Sequence, residues 1–101
     1  MYTFTFIRKD LPLQHQIVQA CHSSLEAGAE FNEPSNTHNL VLIQVADLEE
    51  LESVDTKLTA CGFRFHKFFE PDNNLGYTSI TTEPLTLEQK KKLSNFKLWR
   101  P

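Results

Sequence analysis

His15-Gln16-Ile17-Val18-Gln19-Ala20-Cys21-His22 is the stretch from which the fold is read. It follows an alternating run, Tyr2 to Arg8, whose aromatic and threonine content predicts a first strand. Asp10-Leu11-Pro12 ends that strand, and Pro12 suits a helix entry, where its missing N–H costs nothing. The spacing then predicts a helix from Leu13 to Ala29. Ile17, Cys21, Ser24/Leu25 and Gly28 recur at steps of three and four, so they are expected to pack on a sheet. His15, Gln19, His22 and Glu26 form a second, polar stripe at steps of four, three and four. On spacing alone, a solvated face explains that stripe better than the wall of a site.

Outward from the helix, Glu33 to Asn39 has loop composition. Leu40 to Ala46 is a continuous apolar run of strand length, expected to be buried on both faces. Asp47 and Glu50 have the spacing of a capping box that opens a second helix, whose apolar stripe is Leu48, Leu51, Val54, Leu58 and Cys61. Gly62 suits its left-handed end. Phe63 to Glu70 and Tyr77 to Thr82 read as strands joined by the turn-rich Pro71 to Gly76, and are expected to form a hairpin. Thr86 and Gln89 make a second capping box, opening a short helix to about Asn95, after which Leu98 and Trp99 are expected to be pinned to the core. The order β-α-β-α-β-β-α implies an α/β fold of one domain, 1–101, with a small mixed sheet covered by helices.

Bulk properties narrow the function classes. A chain of 101 residues that is 40% hydrophobic with a net charge of −3 is globular rather than disordered. The weakly acidic balance gives no general attraction to nucleic acid, so such contact needs a local patch. The two cysteines, at inward helix positions, are expected to be buried thiols in a reducing compartment. No apolar run reaches membrane length and the start has no signal-peptide pattern, so a cytoplasmic protein is expected.

Chemistry is sparse. His22 and Glu26 stand four apart, but two possible ligands on one helix are common by chance, and no metal is expected. Three glycines make no phosphate loop, and no nucleophile elbow is present. Asp72, in a turn between paired strands, could act as a base or hold a water, although turn chemistry alone accounts for its residue type. Lys90-Lys91-Lys92 with Lys97 and Arg100, and Arg64 with His66 and Lys67, are local basic groups that suit phosphates, or equally a solvated surface.

Taken in order, these pieces resemble the type II peptidyl-tRNA hydrolases. The matching residues are Arg8-x-Asp10-Leu11, a helix with Gln19-x-x-His22, the strand Leu40-Val41-Leu42, a capped helix ending at Gly62, and Asp72 followed by Gly76-x-Thr78. The segments 15–22 and Phe69-Glu70-Pro71-Asp72 are most similar to the short bacterial and phage-type members. The resemblance spans roughly Phe4 to Thr82. It implies a four-stranded mixed sheet with helices on both faces, and metal-independent, cofactor-free hydrolysis of the ester between a peptide and the 3′ end of tRNA. Carried over by position, it implies Asp72 as the catalytic carboxylate, with Thr78, Gln19 and His22 beside it. Arg8, Asn74, Arg64 and Lys67 are the candidate contacts to tRNA, and a homodimer is the implied assembly.

One departure bears on catalysis. Where better-known members carry a lysine four residues before the helix glutamine, this chain has His15, or Gln16 or Gln14 with a small shift of alignment. Loss of one fixed charge near a developing oxyanion typically costs about 3 kcal/mol, roughly a hundredfold in rate. Two function classes therefore stand: a peptidyl-tRNA hydrolase in which His15 serves near the oxyanion, and a catalytically weak or inactive member that binds tRNA or a protein. A hydrolase of another ester or amide is a third.

Overall fold

The computed structural model describes residues 1–31 and 38–101; the loop expected over 33–39 falls outside them up to residue 37. The strands are β1 (Tyr2–Arg8), β2 (Asn39–Val45), β3 (Phe65–Glu70) and β4 (Gly76–Thr82). They form one sheet in the order β2-β1-β4-β3. β1 and β2 are parallel, whereas β4 runs antiparallel to both β1 and β3. The helices are α1 (Leu13–Glu30), α2 (Leu48–Ala60) and the short α3 (Leu87–Lys90), which continues as a tight turn over Lys91–Leu93. The element order is the expected one, and α1 and α2 cover opposite faces of the mixed sheet.

The apolar core lies on the α2 side. Leu51, Val54 and Leu58 pack with Phe4, Phe6, Ile43, Val45, Ile80, Leu85 and Leu93. Local chemistry sets the ends of α2. The Asp47 carboxylate accepts from the Glu50 N–H at 3.0 Å, and the Glu50 carboxylate accepts from the Ala46 N–H. The reciprocal bond thus reaches one residue further back than an ideal capping box. Gly62 follows with φ of +75°, the left-handed conformation that favours glycine. The Thr86–Gln89 box forms in both directions.

The α1 side is built differently, and the expected face of α1 is corrected. Its buried residues are Gln16, Gln19, Ser23 and Ala27, while Ile17 and Leu25 are 53% and 73% exposed. The reason is the strand surface beneath. Thr5, Ser79 and Thr81 present hydroxyls there, and buried hydroxyls need partners. Ser23 Oγ and Thr81 Oγ1 are 2.8 Å apart, Thr5 and Thr81 2.8 Å, and Thr5 and Ser24 3.0 Å. Ser79 Oγ donates to the Gln19 carbonyl at 2.9 Å. The helix therefore turns polar residues inward and leaves Ile17 and Cys21 outward.

Three related expectations change with it. Cys21 is exposed rather than buried, and Cys61 is half-buried against the core. β2 is not covered on both faces: it lies at the sheet edge, and Leu40 is 61% exposed. Leu98 is exposed, whereas Trp99 is half-buried and its indole N–H donates to Gln16 Oε1, and backbone bonds hold the segment as well. Trp99 N–H donates to the Leu42 carbonyl and Gln44 N–H to the Lys97 carbonyl, which pairs the open edge of β2. No helix among the described residues is long and apolar enough to cross a membrane.

Candidate functional site

β1 ends, β3 ends and β4 begins at the same end of the sheet. There the polar stripe of α1 runs alongside β3. Gln19 faces Glu70 and His22 faces Phe68, and beyond the expected stripe, one turn after Glu26, Glu30 faces His66. The stripe is thus a helix–strand seam.

Gln19 is the centre of this seam. Its Nε2 donates to Glu70 Oε2 at 3.0 Å, and its Oε1 accepts from the Thr78 hydroxyl at 2.8 Å. Thr78 and Gln19 are buried, at 0% and 5% exposure. Glu70 is half-buried at the surface, and its other oxygen, Oε1, accepts from the Asp72 N–H at 3.2 Å. The Gln19 amide and then the Asp72 N–H hold the Glu70 carboxyl below the usual glutamate range, with the nearby His22 adding to the effect. The His22 ring stacks flat on Phe68, with centroids 4.8 Å apart and planes 6° apart.

The turn that carries Asp72 has an unusual backbone. Asn73 and Asn74 take φ of +57° and +54°, and Gly76 takes +69°. Asparagine tolerates this region better than most residues, so the Asn-Asn-x-Gly run is what the turn requires. Arg8 holds the turn from β1. Its Nη1 donates to the carbonyls of Leu75 and Tyr77 at 2.9 Å each, while Nε and Nη2 grip Asp10 at 3.0 and 2.8 Å. That fork, foremost by its hydrogen bond, lowers the Asp10 carboxyl below its ordinary range. The Arg8 guanidinium is therefore spent on the turn.

Of the expected site residues, Gln19, Thr78, Asp72 and His22 come together with Glu70. Asp72 and Asn74 are exposed on the turn. His15 lies one helical turn before Gln19. Its Nδ1 is the one buried side-chain polar atom without a hydrogen-bond partner among the described residues. Arg64 is elsewhere: it pairs with Glu83 beside Phe31, six residues and about 20 Å of strand from Glu70. Lys67 points to the other face of the sheet, bound to Glu52 and Asp55 of α2 at 2.8 and 2.9 Å. Gln16, the alternative at the lysine position, is occupied inward: its Nε2 donates to the Leu11 carbonyl and its Oε1 accepts from the Trp99 indole. Gln14 is exposed.

Glu70 is the site residue that sequence reading missed. Period-two alternation from Phe63 put it among the polar positions of a strand, with no partner in view. The signal lay in its place directly before Pro71-Asp72, opposite a helix stripe whose sheet-facing member was Gln19.

A cleft of about 620 Å³ is lined in part by Lys9, Gln44, Glu50, Lys97 and Asp10, the last of which is the carboxylate that Arg8 grips. It lies beyond the carboxyl ends of β1 and β2, whose following helices leave to opposite faces. Open α/β sheets take ligands at such a switch point. Among the described residues, no group of three or more metal-type ligands occurs. The chain matches no family model and no curated protein.

Proposed function

We propose that the protein hydrolyses the ester joining a peptide to the 3′ end of tRNA, in the cytoplasm, as its resemblance to the type II peptidyl-tRNA hydrolases implies. One observation supports this reading beyond sequence order. Residues separated by more than fifty positions, Gln19 with Glu70 and Thr78, close into one hydrogen-bonded cluster that also holds the Asp72 turn. In this reading the Asp72 carboxylate takes a proton from water. The water oxygen bonds to the acyl carbon, the ester C–O bond breaks, and the ribose oxygen regains a proton. Gln19, backed by Thr78, is buried and holds the Glu70 carboxylate rather than touching substrate, and His22 on Phe68 offers a flat surface to the acyl or ribose group. His15 serves near the oxyanion. Lys97 in the cleft beyond Asp10 supplies positive charge for phosphates of the acceptor end, while the Lys9 ammonium is engaged by the Arg100 carbonyl and the Trp99 ring.

The test is release of free tRNA from an N-blocked aminoacyl-tRNA by the purified protein, beside Asp72→Asn. Turnover that falls at least a hundredfold in the variant supports the reading. Equal turnover in the variant removes Asp72 from the mechanism. No turnover by the folded wild-type chain moves the function to binding, which then shows as tRNA affinity that weakens steeply with salt. The homodimer belongs to the same proposal and is read by sedimentation equilibrium.

A further inference from the structure

We infer that Glu70 is the positioning residue of this site: its ionised carboxylate sets the direction of the Gln19 amide, and through it the Thr78 hydroxyl, and ties down the backbone that carries Asp72. The consequence for turnover rests on the hydrolase reading; the orientation does not.

Donors and acceptors fix the direction of this chain of hydrogen bonds. An ionised carboxylate only accepts. Facing Glu70 Oε2, Gln19 must therefore present its NH₂ group, which turns its carbonyl oxygen to Thr78. The Thr78 hydroxyl can donate or accept, but against a carbonyl it must donate. A single charge at the surface thus fixes the polarity of a chain that runs into the buried layer. The second carboxylate oxygen accepts from the Asp72 N–H, so the same group spans helix α1 and the turn. Both links need two acceptor oxygens on one side chain. Glutamine offers one acceptor and one donor, so Glu70→Gln must break one link. Aspartate keeps both oxygens but is one carbon shorter, so Glu70→Asp cannot reach both partners.

The measurement is NMR of the ¹⁵N-labelled full chain, following the Gln19 side-chain NH₂ resonance, identified by its loss in Gln19→Leu. His22 on α1 and Asp72 on the turn are the other titratable groups that act on Glu70, so the titration is repeated in His22→Gln. The expected result is a Gln19 resonance that is constant near neutral pH, moves as acid protonates a carboxyl, and does so in His22→Gln too. In Glu70→Gln it is displaced at neutral pH and no longer titrates. A parallel hydrolysis assay is expected to show kcat lower by about tenfold or more with KM little changed, because a displaced turn misplaces the reacting group without removing a contact to substrate. An unmoved Gln19 resonance in Glu70→Gln overturns the inference, whatever the turnover. If that variant does not fold, the wild-type titration decides by itself: a flat Gln19 resonance overturns the inference as well. Absence of wild-type turnover overturns the hydrolase reading instead, and the resonance still decides the role of Glu70.

Discussion

Gln19 and Glu70, one on α1 and the other at the end of β3, are joined at 3.0 Å by an amide-to-carboxylate hydrogen bond, and the Thr78 hydroxyl meets the other side of the same amide. Gln19→Leu keeps the volume and removes both links. The buried Thr78 hydroxyl is then left without its partner, which costs about 2 kcal/mol. The expected outcome is a fall in Tm of roughly 10 °C, since each kcal/mol shifts a domain of this size by several degrees. Gln19→Glu tests the sign. Two carboxylates then face each other, so this variant is weakest at neutral pH and regains stability as acid neutralises one of them, opposite to the wild type. Thermal unfolding between pH 7 and 4 reads both outcomes.

Acid acts on the wild type through two lowered carboxyls. Glu70 and Asp10 both titrate below their ordinary values, held by Gln19 and by Arg8 respectively. Groups of this kind contribute stability above their unfolded values, and that contribution is lost as pH falls through the folded ones. The Tm is therefore expected to drop as pH falls from about 5 to about 3, with Glu70→Gln giving a shallower decline. Lys67 has the reverse sign. Partial burial pulls its ammonium down, but the hydrogen bonds to Glu52 and Asp55 outweigh this and hold it above its ordinary range. Its contribution is present at neutral pH and is lost as alkali rises through the raised value. In Lys67→Met that alkaline loss is expected to be smaller. A Tm that fails to fall in acid would show that the Glu70 and Asp10 contacts contribute nothing to folding.

Arg8 is predicted to matter through the turn. Four hydrogen bonds leave its guanidinium, two to Asp10 and two to the carbonyls of Leu75 and Tyr77. Lysine keeps the charge but cannot reproduce a planar fork with several donors. In Arg8→Lys the amides of residues 73–77 are expected to exchange with solvent about tenfold faster, while those of α2 stay protected. Exchange that rises equally throughout would mean global destabilisation instead. Exchange unchanged in the turn would mean that Arg8 does not hold it.

What could be read from the sequence divides along the two faces of the sheet. On the α2 side, leucine and valine at helical spacing, an aspartate at the N-cap and a glycine at the end all point the same way, and the structure agrees for Leu51, Val54 and Leu58, while Leu48, in the first turn, stays exposed. On the α1 side the same logic misleads. Ile17, Cys21 and Leu25 recur at helical spacing, yet the strand surface opposite is threonine and serine. Hydrophobic periodicity locates an inward face only where the partner surface is apolar. Pairing of Thr5 with Thr81 across strands 76 residues apart in sequence is a tertiary fact that no local window contains. β2 departs from expectation for a related reason. A continuous apolar run signals burial on both sides, but here it forms the edge strand, closed by backbone bonds from Lys97 and Trp99. The candidate site was legible in part. Gln19 stands out by its place in the helix stripe and Thr78 only through the family resemblance, whereas Glu70 needs the helix-to-strand register that places it opposite Gln19.

The hydroxyl layer itself can be tested through Thr81. Its Oγ1 lies 2.8 Å from both Thr5 Oγ1 and Ser23 Oγ, so it is the hub of the layer. Thr81→Val keeps the shape and removes the hub. The cost is expected near the low end of the range for an unsatisfied buried group, about 1 kcal/mol rather than 3. The reason is that neither neighbour is orphaned: Thr5 keeps Ser24 at 3.0 Å, and Ser23 keeps the Ala20 carbonyl at 3.3 Å. Thr5→Val added to Thr81→Val is expected to cost less than the sum of the two single changes, because the second removes a hydroxyl whose main partner is already gone. Urea unfolding of the wild type, both single variants and the double variant measures that coupling. Strict additivity would mean that the two hydroxyls do not depend on each other. The buried face of α1 would then be set by something other than this network.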